Sequence, residues 1–321
     1  MLHSEGKLSD KRAKADAWRR RAARVASCAE RLSFRACPEC NIRYITHAEL
    51  CKDRLCPICA WRRSRALAAR LRSLVSDNKR YVLLTLTIKN CPWQALGEYL
   101  KRMLAAWTKL QRRSRFKAAF PGWVRTVEIT HGKNGLAHPH LHILLETNAH
   151  YFDKQSDLWI SHQEFVEMWR KCLAVEYNPT VDIRAVKNIG GAVAEVTKYI
   201  AKDVQIDGLC DTDFLCYAEA IAGVRTWAAG GTMRAMNEEI ADEELLKVEG
   251  TDREDDKYVC PICGRMMIEE EDAWSNIERC YKNRNENVTI INNGVINIWL
   301  GESGPRGPGP DLIILGAKDG A

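Results

Sequence analysis

The chain has 321 residues, 46% hydrophobic, with 48 Lys/Arg against 42 Asp/Glu. That length supports one catalytic domain with small appendages. No run of about eighteen apolar residues occurs, so no membrane span is expected, and Met1 to Lys7 lack the apolar core of a secretory signal. The net charge of +6 conceals an asymmetry: residues 1–120 hold 28 Lys/Arg and 9 Asp/Glu, whereas the remainder holds 20 and 33. A net +19 over the first 120 residues is the footprint of a protein that meets a polyanion.

In chain order, a basic helix is expected over residues 11–31, with Arg19, Arg20 and Arg21 beside Trp18. Cys37-Pro-Glu-Cys40 and Cys56-Pro-Ile-Cys59 follow with the C-x2-C-x15-C-x2-C spacing of a structural Zn²⁺ site. Cys51 can replace one member of that set, while Cys28, Cys91 and Cys172 read as ordinary reduced thiols. A second basic helix over 61–75 carries Arg62, Arg63, Arg65, Arg70 and Arg72. Contacts from these arginines to phosphates would give sequence-independent, salt-sensitive affinity.

The apolar strand Tyr81-Val-Leu-Leu-Thr-Leu-Thr-Ile88 is followed by a helix over 94–116, whose Leu96, Leu100, Met103, Trp107 and Leu110 form one buried stripe. Strands are expected at 123–130 and 138–145, with His131 to Gly135 as the turn between them. The second of these reads His138-Pro-His-Leu-His-Ile-Leu-Leu. Alternation puts His140 and His142 on one face and Leu141, Ile143 and Leu145 on the other. His138 shares the parity of the pair, as a third imidazole or as a hydrogen-bonding partner behind it. Two imidazoles rarely complete a site for a hard cation, and pairing of the two strands would bring Glu128 near them.

A helix over 161–174 and a strand over 180–186 lead to Gly190-Gly191 and a further helix. There Val193, Val196 and Ile200 form an apolar side, and Glu195, Tyr199 and Lys202 a polar row with Lys198 at its edge. Residues 212–222 read as helical. Between Glu238 and Asp256 ten acidic residues against two basic ones read as a solvated linker. Cys260-Pro-Ile-Cys263, with Cys280 as a third thiol, suggests a second zinc knuckle whose fourth ligand is open. The tail alternates near 288–291 and turns Gly/Pro-rich over 301–310. Thirteen cysteines in metal-type spacing point to a reducing, cytoplasmic compartment.

Four of these stretches resemble the single-tyrosine rolling-circle plasmid replication initiators of the HUH endonuclease superfamily. They are the strand ending in Thr-Leu-Thr, the His-Leu-His strand, the Glu195-x-x-x-Tyr199 helix, and Cys51-Lys-Asp-Arg-Leu-Cys-Pro-Ile-Cys-Ala-Trp-Arg-Arg-Ser-Arg65. The likeness spans about residues 35–235. It implies that His140, His142 and Glu128 bind catalytic Mg²⁺ or Mn²⁺ and that Tyr199 is the DNA-cleaving nucleophile. It also implies that Glu195 directs water at the closing cleavage. Lys198 or Lys202 would favour the phenolate or stabilise charge on the phosphate.

The expectation is an α+β fold: an antiparallel central sheet with flanking helices, its site on the open face, plus an N-terminal four-cysteine zinc module. Three regions follow: a basic arm and zinc module over 1–78, a nicking domain over 79–235, and an acidic linker with a C-terminal segment over 236–321. The expected substrate is single-stranded or hairpin origin DNA, cut through a 5′-phosphotyrosine. With no phosphate loop of the G-x-x-x-x-G-K-[ST] kind, the protein would depend on a host helicase and polymerase. The alternatives are a relaxase or transposase of the same superfamily, or a non-catalytic zinc-dependent DNA-binding regulator.

Overall fold

The computed structural model describes residues 2–40, 42–132, 134–153, 156–201, 209–237, 259–260, 262–275, 280–283, 296–299 and 311–314. The chain divides into two units, one of residues 1–62 and 242–321, the other of residues 63–241.

The second unit holds five antiparallel strands, β3 (Tyr81–Thr87), β4 (Gly122–His131), β5 (Ala137–Glu146), β6 (Val181–Ala185) and β7 (Trp227–Gly231), in the order β6-β3-β5-β4-β7. β5 sits in the centre because both its faces are apolar or paired, with Leu141, Ile143, Leu144 and Leu145 all buried. Strand alternation separates two layers. On one face Leu84 and Leu86 stand beside Ile143 and Leu141, and β5 packs with α3 (Leu96–Gln111), which buries Leu96, Leu100, Met103, Trp107 and Leu110 as the period predicts. Against α3 lie α5 (His162–Leu173) and α7 (Asp211–Ile221). The expected single helix over 94–116 is shorter, because the polar run at Gln111 to Arg113 ends it before a separate α4 (Ser114–Ala119). The start of α5 is set by a capping box between Ser161 and Glu164.

The other face, expected to be open, is partly covered. Tyr81, Val124 and Leu144 pack with Val193 and Val196 of α6 (Ile189–Ala201) and with Leu67 and Leu71 of α2 (Pro57–Leu74). The apolar sides of these two helices need a partner, and only the near half of that sheet face is apolar. The edge strand β7 has the sequence of a Gly-Gly break. Gly231 adopts φ +63°, and a Cβ there would stand 1.8 Å from the Pro121 carbonyl, so glycine is what lets this strand close on β4.

The first unit carries α1 (Leu2–Ala26) and a four-stranded antiparallel sheet of β1 (Arg31–Ala36), β2 (Arg43–Ala48), β8 (Ile268–Ser275) and β9 (Cys280–Asn283), in the order β2-β1-β8-β9. β8 and β9 therefore do not form a segment of their own, as a division at 236 implies. Backbone pairing of Ala36 with Ile268 and of Arg31 with Ala273 builds them into the N-terminal module. β10 (Ile296–Trp299) and β11 (Asp311–Ile314) form a separate two-stranded ribbon. The expected linker at 238–256 and alternating stretch at 288–291 lie outside the described residues.

Candidate metal centre and nucleic-acid surface

The β4–β5 hairpin puts Glu128 directly opposite His140, and the β3–β5 pairing puts Thr87 opposite His140 and Thr85 opposite His142. Directly opposed residues share a face, so these side chains project together. Oε2 of Glu128 lies 2.5 Å from Nε2 of His140 and 2.8 Å from Nε2 of His142. Thr85 Oγ1 lies 3.3 Å from the other ring nitrogen of His142, which orients that imidazole. The His140 Nδ1 is buried without a hydrogen-bond partner among the described residues.

The electrostatics suit a cation. Burial pushes the Glu128 carboxyl up, but hydrogen bonds and the fields of His140 and His142 outweigh it and hold the group below the usual carboxylate range. Burial lowers the imidazole of His142, and neutral imidazole is the form that ligates. One ligand atom from each of the three residues falls within 4.8 Å of the others. Two imidazole nitrogens and one carboxylate oxygen suit a divalent ion.

His138 shares the face but is not one of the three donors. Its ring is 5.1 Å from that of His140, and it lines a surface groove with Lys89, Asn90 and Tyr177. Glu195 lies on α6, where its carboxylate is 3.6 Å from the Arg184 guanidinium; Arg184 also lies 3.6 Å from Asp182. Asp182 pairs with Thr85, so this small charged set borders the metal face. α6 is seated there by Ser64, whose hydroxyl donates to the Thr197 carbonyl at 2.8 Å, and by Thr126, opposite His142, which donates to the Val196 carbonyl at 3.5 Å. Position 199 follows Glu195 by one helical turn. The side chains of Lys198 and Tyr199, and all of Lys202, lie outside the described residues.

Thr85, Thr126, Asp182 and Arg184 carry no signal in the linear sequence that by itself marks them as neighbours of the site. Strand parity is the available signal, but it needs the register between strands.

The cysteines are partitioned differently from their linear spacing. Cys56 and Cys59 lie with Cys28 and Cys51, whereas Cys37 and Cys40 lie with Cys260 and Cys263. The cause is β1, which runs between Cys28 and Cys37 and carries them to opposite ends of the sheet. The quartet expected from residues 37, 40, 56 and 59 is thus split, and Cys28 is not an ordinary isolated thiol. Cys280, in β9, belongs to neither set. In the first quartet Sγ of Cys59 is 3.5 Å from that of Cys28 and 3.7 Å from that of Cys51. A tetrahedral ion bound to sulfur at about 2.3 Å requires ligand–ligand separations of about 3.8 Å.

Arg21 and Arg62, both expected to meet phosphate, are engaged within the protein instead. Arg21 makes a forked pair with Asp53, both bonds 2.7 Å, and Arg24 adds a third at 3.0 Å. Asp53 is only 6% exposed, so this cluster anchors α1 on the loop after β2. Arg62 is also buried, its guanidinium 5.6 Å from the Trp61 ring centre. Arg19, paired with Asp16, Arg20, Arg65 and Arg72 are exposed, and Arg63 and Arg70 half-buried.

A family model described as Replication protein matches residues 42–282. The chain belongs to this replication-protein family. It is 35% identical to "Protein rep" of Streptococcus pneumoniae over 195 residues, 57% of this chain and 61% of that protein. It is 31% identical to "Protein rep" of Bacillus amyloliquefaciens over 76% of this chain and 82% of that protein. With "Protein rep" of a Bacillus species it shares 30% identity over 71% of this chain and 85% of that protein. No solved structure matches the chain. The resemblance to plasmid rolling-circle replication initiators therefore holds at the level of family.

Proposed function

We propose that the protein initiates rolling-circle replication by nicking one strand of origin DNA and joining its 5′ end to Tyr199. The observation that carries this is the convergence of Glu128, His140 and His142 on one sheet face, with α6 seated beside them through Thr126 and Val196. These three residues would hold Mg²⁺ or Mn²⁺. Bound there, the ion would polarise a non-bridging phosphate oxygen and lower the barrier to attack.

The remaining chemistry belongs to the chain's own groups. The Tyr199 phenol oxygen attacks phosphorus, a P–O bond forms, and the bond to the 3′-oxygen breaks. The phenol proton leaves to base or solvent, and the departing 3′-oxygen takes one up. A phosphotyrosine keeps the free energy of the broken bond, so the strand can later be rejoined. Lys198 or Lys202 would stabilise the phenolate. Glu195 would direct water when the replicated origin is cut again, its carboxylate standing 3.6 Å from the Arg184 guanidinium. His138, outside the triad, would contact the DNA strand or a triad partner.

The nicking domain would span about residues 79–235, within the unit of residues 63–241. Single-stranded or hairpin origin DNA is the substrate, met first by the exposed arginines. Cys28, Cys51, Cys56 and Cys59 would hold structural Zn²⁺. In the cytoplasm a host helicase would unwind the duplex and a host polymerase would extend the 3′-hydroxyl; no described helix is long and apolar enough to cross a membrane.

The test is incubation with 5′-labelled and 3′-labelled single-stranded origin DNA and Mn²⁺. A denaturant-resistant adduct, mapped to Tyr199 by peptide sequencing, supports the reading. A mobility shift without any cleavage would instead leave a DNA-binding regulator.

A further inference from the structure

β8 and the Cys260-Pro-Ile-Cys263 segment play no part in the nicking chemistry, yet the fold brings them back to its first hairpin. Each C-x2-C pair sits on a tight turn. Cys37 and Cys40 lie between β1 and β2, where the Cys37 N–H donates to the Ile42 carbonyl at 2.8 Å. Cys260 and Cys263 lie between Val259 and Met266, which form an antiparallel bridge, and Gly264 takes φ +70° to complete the turn. The Cys260 N–H donates to the Arg265 carbonyl at 2.7 Å. The β1–β8 pairing, ending at Ala36 and Ile268, faces these two turns toward each other.

The four sulfurs lie within 4.8 Å of one another, Cys37 and Cys263 at 3.5 Å. The Cys40 N–H points at the Cys37 sulfur at 3.4 Å, the contact that steadies a thiolate in a metal knuckle. Four mutual neighbours match a tetrahedron with edges of about 3.8 Å; two disulfides would draw the sulfurs into separate pairs. Cys37 and Cys260 are 2% and 1% exposed and pack with Ile42 and Met267, which keeps water from one side. Glu39 of the first turn and Arg265 of the second form an ion pair across the site.

We propose that Cys37, Cys40, Cys260 and Cys263 bind a second structural Zn²⁺. This ion clasps the returning chain to the first hairpin, so the N-terminal module is complete only when residues beyond 259 have come back to it. Binding exchanges thiol protons for metal, and the nicking unit becomes an insertion within one discontinuous zinc module.

The full-length protein, purified without chelator, should contain two Zn²⁺ per chain by elemental analysis. The double variant Cys260→Ser/Cys263→Ser should contain one, and Cys280→Ser should keep two. A single Zn²⁺ in the parent chain, or two retained in the double variant, overturns the proposal. Should the double variant misfold, the unaltered protein still decides. Cys263 is exposed, so as a free thiol it would be alkylated at once by iodoacetamide. Protection of Cys37, Cys40, Cys260 and Cys263 until a zinc chelator is added is the outcome expected, and immediate labelling of Cys263 before chelation rules the clasp out.

Discussion

Glu128 stands opposite His140 across the β4–β5 hairpin, its Oε2 2.5 Å from one imidazole and 2.8 Å from that of His142 two residues on. Neither residue type would be buried there without a partner, since an unpaired buried carboxylate costs several kcal/mol. Any ion held by these three side chains would depend on the register of one hairpin.

That register makes a sharp prediction for Thr85. It contacts the ring nitrogen of His142 that faces away from Glu128. Thr85→Val keeps the shape and removes the hydroxyl, and should weaken Mn²⁺ binding by about tenfold, the lower end for partners of metal-bound histidine. Glu128→Ala should abolish measurable binding. Calorimetric titration of both variants checks this, and wild-type affinity in Glu128→Ala would move the ion elsewhere.

Tyr199→Phe should bind origin DNA with wild-type affinity while forming no covalent adduct. Surviving cleavage would transfer the nucleophile to another tyrosine. Tyr177, at the groove beside His138, is then better placed than Tyr217, which is 4% exposed within the helical layer. Glu195→Ala should nick once but leave the enzyme trapped as its adduct, which single-turnover gels distinguish from normal release.

Leu144 anchors α6 from the sheet side, packed with Val193 and Val196. Leu144→Ala removes a fully buried side chain and should cost about 3 kcal/mol of stability. Urea denaturation of the variant measures it. A loss below about 1 kcal/mol would mean that the second unit tolerates a cavity where α6 is seated.

The start of α5 gives a pH prediction. The Ser161 backbone N–H, and then Arg115, hold the Glu164 carboxyl below the usual glutamate range. A depressed folded value means stability that is present at neutral pH and lost as pH falls through that value. Glu164→Gln should therefore flatten the acid limb of the stability profile below about pH 4. Ser161→Ala should cost about 1 kcal/mol at neutral pH, as loss of an N-cap does. Thermal melts across that range test both.

Arg21 and Arg20 separate anchoring from nucleic-acid contact. Arg21 is held by Asp53, so Arg21→Ala should lower the melting temperature at every salt concentration. Arg20→Ala should leave the melting temperature unchanged and lower the salt dependence of DNA binding by about one counterion. Fluorescence anisotropy over a salt series reads the second effect.

Much of the nicking unit is legible in the sequence because its signals are local. Alternation in Leu141-His142-Ile143 names a strand and its two faces, and the four-and-three step from Leu96 to Leu110 names a buried stripe. Boundaries of α5 and α7 fall within a residue or so of expectation, since a capping serine and a change of polarity mark them. β7 is not legible: Trp-Ala-Ala-Gly-Gly has the composition of a turn, and only pairing with β4 makes it a strand.

The amino-acid order therefore dictated which residue types share a side of one element: two imidazoles on a strand, and a glutamate one turn before a tyrosine on a helix. Periodicity is enough for that, because 3.6 and 2.0 residues per repeat are properties of the backbone. Which thiols meet was decided in three dimensions. Linear spacing groups Cys37 and Cys40 with Cys56 and Cys59, but a six-residue strand between Cys28 and Cys37 carries them to opposite ends of a sheet. Partners for each end arrive through long-range strand pairing, which no local pattern encodes.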